Sequence, residues 1–299
     1  MNKNIKDIID KQISMQTKIP DKSDLVDYSA LFEYTDNDLL VTPHDTCSVL
    51  KERLQQIAGF FANFKYPNLK FIMHLHDHAG DSQDHTNYGI CLGKKRHQHF
   101  ITMPNLYLLN NRVKSVIEEV KAKDIDLFDK MFGSIFAGGA NCGKDGARIR
   151  YVLSHPNPSL HNICISNTSV IGIEYQLKYM FNITIDGHSA CYDRLYWQMA
   201  SNSVPVYLDR NKDIFQLHDE LIRPDEHYIE STVEKWPDLF NSMKKGYDDF
   251  QMAGDVISYI KNIVSNGNSF VVEHFGDDAT SKSAEIVQYI LSELRSKQS

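Results

Sequence analysis

Tyr179-Met180-Phe181-Asn182-Ile183-Thr184-Ile185-Asp186-Gly187-His188-Ser189 is the stretch that decides the fold. Seven mainly apolar, aromatic and β-branched residues read as a strand. Asp186-Gly187 reads as a turn, and Ser189 as the N-cap of a helix running to Met199. Working outward, the same rhythm recurs. Upstream lie an apolar strand at 132–136, a small-residue loop at 138–143, a helix at 145–154 and a strand at 162–166. Downstream lie a strand at 203–208 and helical patterns at 233–245, 251–265 and 279–294. Strands alternating with helices predict an α/β fold, with a mostly parallel sheet covered on both faces. Such sheets take ligands at the carboxyl ends of their strands.

Nearer the N-terminus the spacing predicts helical character in 1–25, broken at Pro20. It predicts a helix within 47–65, on Leu50, Leu54, Ile57, Ala58 and Phe61, and a strand over 69–75. The polar stretch 110–129 is the candidate connection between two halves. The expected domains are therefore 1–129 and 130–278, with the C-terminal helix 279–299 a candidate to pack back on the first.

Composition narrows the function classes. Of 299 residues, 42% are hydrophobic and 24% charged, which is enough apolar content for a sizeable core. A net charge of -7 lacks the broad positive field of a nucleic-acid binder. The opening ten residues are charged throughout, without the apolar centre of a secretory signal, and no apolar run has the length of a membrane span. Cys47, Cys91, Cys142, Cys164 and Cys191 are scattered without a Cys-x-x-Cys pair. Reduced thiols and a cytoplasmic location are the expectation.

Three segments carry candidate chemistry. The strand Phe71-Ile72-Met73-His74-Leu75 runs into His76-Asp77-His78. An acid delivered to the open end of a sheet can take the proton of a hydroxyl nucleophile, although loop acids often serve only as caps. The alternating His74, His76 and His78, with Asp81, Asp84 and His85 nearby, also have the ligand types of a metallohydrolase. Their spacing is one residue short of the His-x-His-x-Asp-His pattern. The second segment is the 137–143 loop, with Gly138, Gly139, Arg148 and Arg150. Exposed N–H groups and nearby cations there suit a phosphate, and an ordinary tight turn fits as well. The third is Asp186-Gly187-His188-Ser189 with Arg194, a strand-to-helix turn where N–H donors and a cation could meet a diphosphate.

Taken in order, these pieces resemble glycosyltransferase family 90, the capsule-associated and lipopolysaccharide-modifying transferases that include the Rumi-type protein O-glucosyltransferases. The resemblance rests on Leu75-His76-Asp77-His78, Thr102-Met103-Pro104, Phe136-Ala137-Gly138-Gly139, Lys178-Tyr179-Met180-Phe181-Asn182 with Asp186-Gly187, Ser203-Val204, and Pro224-Asp225-Glu226-His227-Tyr228. Residues 260–267 and Tyr289-Ile290-Leu291 extend it. It covers roughly residues 68–294.

The resemblance implies a GT-B fold, two Rossmann-like domains with a cleft between them. It implies an inverting, metal-independent transfer from a nucleotide-sugar, usually UDP-linked, to a hydroxyl of a glycan or protein acceptor. Polysaccharide biosynthesis would be the setting. Asp77 would be the general base. Gly138, Gly139, Arg148, Asp186, Gly187, His188, Ser189 and Arg194 would hold the donor, with no metal and no further cofactor. Ala137 and His76 stand where the family carries arginines. Two alternatives stay open: a metal-dependent hydrolase on the His74/His76/His78 cluster, and a degenerate protein that binds a sugar nucleotide without turnover.

Overall fold

The computed structural model describes residues 1–16, 18–36, 38–75, 89–95, 98–109, 112–138, 146–154, 161–165, 171–187, 194–249 and 253–299. The chain is mixed α/β and divides into two compact units: 1–111 with 212–221 and 278–299, and 112–211 with 222–277. No helix among the described residues is long and apolar enough to cross a membrane.

The first unit is built on a five-stranded mixed sheet. Its order is Asp38–Pro43, Ser29–Thr35, Leu69–His74, Ile90–Cys91, Ile101–Thr102. The first three strands pair antiparallel and the last two join in parallel. Phe32 and Phe71, paired across Ser29–Thr35 and Leu69–His74, stack with ring centroids 5.2 Å apart, and Phe61 of the helix Lys51–Phe61 closes on both. Such cross-strand aromatic pairs fix register, because a one-residue slip would turn both rings to the other face. The C-terminal helix Ala279–Gln298 is bound by backbone-like contacts. The Gln298 amide donates to the Lys70 carbonyl at 2.6 Å and accepts from the Lys70 N–H at 3.0 Å. Tyr66 donates its hydroxyl to the Gln288 carbonyl at 2.9 Å.

The second unit has a five-stranded sheet that is parallel throughout. Numbered along the chain, Met131–Gly138, His161–Ile165, Tyr179–Ile185, Val204–Leu208 and Ile229–Ser231 take the spatial order 2-1-3-4-5. All seven residues of the central strand Tyr179–Ile185 are buried, as expected where helices cover both faces. On one face Phe181 meets Phe132, Trp236 and Phe240, with Trp236 and Phe240 supplied by the helix Trp236–Asp248. On the other, Thr184 donates its hydroxyl to Gln198 of the helix Arg194–Met199 at 2.7 Å. The chain order reverses between the first and third strands. At such a switch point the connections leave in opposite directions and open a crevice at the carboxyl ends.

Candidate functional site

The first strand ends at Gly138 and the third at Ile185, followed by Asp186, so these residues flank the switch point of the parallel sheet. The helix Ala147–Ser154, next after the first strand among the described elements, supplies Arg148. Its Nη2 and Nε donate to the Ile185 carbonyl at 3.0 and 3.3 Å, bridging the two strand ends. Arg194 comes from the start of the helix Arg194–Met199. The two guanidinium carbons lie 5.7 Å (Arg148) and 5.6 Å (Arg194) from the centroid of the Phe136 ring. An aromatic face attracts each cation by its quadrupole, which offsets part of their mutual repulsion.

Gly138 makes this approach possible. A Cβ at that position would sit 2.9 Å from the Phe136 ring, 3.4 Å from Arg194 Nη1 and 3.5 Å from Arg148 Nη1. Arg194 Nη1 is buried and has no hydrogen-bond partner among the described residues. A desolvated charged donor left unpaired is costly, so the position favours an anion. Four residues expected at a phosphate site, Gly138, Arg148, Arg194 and Asp186, are thus gathered around one pair of strand ends. Gly187 follows directly and is half-buried.

Asp186 itself is bound by protein groups. One carboxylate oxygen accepts from the Tyr207 hydroxyl, and the other from the Asn211 N–H at 2.9 Å. Arg150, considered from sequence as a second phosphate cation, instead pairs with Asp209 and with Glu234, the latter at 3.1 Å. Sequence reasoning passed over Arg210. It follows the fourth strand, Val204–Leu208, donates to the Tyr228 hydroxyl at 2.6 Å, and lies 5.5 and 5.7 Å from the Tyr207 and Tyr228 rings. The available signal was its position: Asp209-Arg210 follows an apolar strand just as Asp186-Gly187 does.

Asp77, Gly139, His188 and Ser189 lie outside the described residues, as do His76, His78, Asp81, Asp84 and His85 of the metal alternative. His74 is buried at the end of its strand, with its ring edge-on to Phe100 at 4.5 Å. Among the described residues no three His, Cys, Asp or Glu side chains gather into a metal-holding group.

Elsewhere, burial shifts several ionisable groups. Cys91 is enclosed and its thiol is pushed up to about 12, while burial lowers the nearby Lys94 ammonium, which donates to the Gln98 and Phe100 carbonyls at 3.0 and 2.9 Å. No protein-family model matches the sequence, and no curated protein matches it.

Proposed function

We propose that this chain is a glycosyltransferase of GT-B type, moving a sugar from a nucleotide-sugar donor, UDP-linked as the family resemblance implies, onto a hydroxyl of a glycan or protein. The observation that carries the reading is the pair of guanidinium groups, Arg148 and Arg194, converging over Phe136 beside Gly138 at the switch point of a parallel sheet. In the transfer, the acceptor oxygen attacks the anomeric carbon from the face opposite the nucleotide. The carbon–oxygen bond to the diphosphate breaks as the new one forms, with inversion. Asp77 takes the acceptor proton. Negative charge grows on the departing diphosphate, and preorganised cationic donors stabilise that charge more than they stabilise the bound donor. Two guanidinium groups supply the charge complement that a divalent cation would otherwise supply.

The reading takes 1–129 as the acceptor-side half and 130–278 as the donor-side half. Gly139, Gly187, His188 and Ser189 would add backbone or side-chain donors to the diphosphate. Calorimetry with UDP tests the anion site directly. Arg194→Ala removes a charge-assisted contact, so UDP affinity should fall about tenfold or more. Unchanged affinity would remove Arg194 from the site. Donor-hydrolysis assays across a panel of nucleotide sugars test the reaction; binding without turnover of any donor would mark a degenerate binder.

A further inference from the structure

Asn182 sits at the middle of the central strand Tyr179–Ile185, fully buried, and neither its amide nitrogen nor its amide oxygen has a hydrogen-bond partner among the described residues. Its register partners on either side are Ile135 and Pro205, whose side chains offer no polar group. Along its own face of the strand the neighbours are Met180 and Thr184. The Thr184 hydroxyl is given to Gln198, and the Gln198 amide nitrogen reaches the Ile183 carbonyl only at 3.5 Å, the outer limit of such a bond. A buried primary amide has two donor hydrogens and an acceptor oxygen to satisfy. Leaving all of them unmet is rare in folded proteins, and the usual remedy is a water with two to four polar partners.

We propose that Asn182 holds a structural water, sealed between the central strand and the helix Arg194–Met199, and shared with Thr184 or Gln198. Residues i and i+2 on one strand face are about 6.6 Å apart along the chain. One water accepting and donating at ordinary distances spans about 5.8 Å, which lets it bridge the two side chains. Asn182, Thr184 and Asp186 then form a polar column, all buried, running up one face of the strand to its carboxyl end. The water supports the helix that carries Arg194, and its presence does not depend on which reaction the protein performs.

A high-resolution crystal structure of the intact chain tests it. The expected result is an ordered water within hydrogen-bond distance of the Asn182 amide and of Thr184 or Gln198. Empty density there, or a protein group bonded to the amide in its place, overturns the proposal. Thermal unfolding of Asn182→Leu gives a second reading on the folded protein. Loss of a water-bridged amide lowers the melting temperature. A dry, unsatisfied amide would be relieved by leucine, and a raised melting temperature would count against the water. Should that variant fail to fold, the density of the unaltered chain decides alone.

Discussion

The Tyr207 hydroxyl, carried by the fourth strand of the parallel sheet, donates to the Asp186 carboxylate at the end of the third. Tyr207 pairs in register with Thr184, two residues before Asp186 and on the same face, so the bond runs diagonally up the sheet toward the carboxyl ends. The other Asp186 oxygen receives the Asn211 N–H at 2.9 Å. The carboxylate therefore ties the turn 209–211 down beside the switch point. Arg210 lies in that turn and is stacked on Tyr207 and Tyr228. Asp186 positions this loop, and in the proposed reading the contacts with an anion fall to Gly138, Arg148 and Arg194.

Removing the tie should be felt as stability. Tyr207→Phe keeps the ring and its contact with Tyr228, whose centroid is 5.8 Å away, but leaves the buried Asp186 one donor short. Loss of a hydrogen bond to a buried charged group costs about 1–3 kcal/mol. Urea unfolding should show a lowered midpoint with an unchanged slope. An unchanged midpoint would mean that the bond contributes nothing net.

Gly138→Val tests the geometry over Phe136. The added side chain would meet the Phe136 ring at 2.9 Å and press on both guanidinium groups. Because Gly138 ends its strand, the sheet should survive while Arg148 and Arg194 are displaced. UDP binding by calorimetry should be lost with circular dichroism unchanged. Full affinity in the folded variant would place the anion somewhere else.

Sequence patterns disclosed the second unit better than the first, for a physical reason. Strands buried on both faces read as near-continuous apolar runs, so Tyr179–Ile185 and Val204–Leu208 announce themselves despite Asn182 and Thr184. The hairpin of Ser29–Thr35 and Asp38–Pro43 went unread. Its outer strand lies at the sheet edge and is only partly buried, so its hydrophobic signal is weak. Yet Asp36, at a φ of 51°, sits in an acidic Asp-Asn-Asp tract of the kind that favours tight hairpin turns. That hairpin makes the first sheet mixed rather than mostly parallel. At the candidate site, spacing singled out Gly138, Arg148, Asp186 and Arg194, which the fold brings to one pair of strand ends. It gave no way to see that Arg150 would be engaged by Asp209 and Glu234, since those partners come from distant segments.

Asp77 carries the proposed proton transfer. Asp77→Asn keeps the size of the side chain and removes its basicity. Turnover of a nucleotide-sugar and acceptor pair should fall about 10²- to 10⁴-fold. UDP affinity should stay near that of the unaltered chain, because the proposed anion contacts lie on other residues. A fully active variant would rule out this carboxylate as the base.

His227 gives the second unit a defined response to acid. Burial holds its imidazole below the ordinary value, while the neighbouring Glu226 carboxylate, 4.0 Å away, pulls the other way and the Arg223 charge adds only the smallest lowering. The ring accepts the Arg223 N–H at Nδ1 at 3.1 Å, a contact that requires the neutral form, and packs on Phe270 with centroids 5.3 Å apart. In the unfolded chain the imidazole protonates near its free value of about 6.5. Below that pH the unfolded state binds more protons than the folded one, so stability falls on acidification until the folded imidazole also titrates. His227→Gln removes the titrating group. Between pH 7.5 and about pH 5 the unaltered protein should lose more unfolding free energy than the variant in paired urea titrations. Equal losses would show that His227 keeps its ordinary proton affinity in the fold.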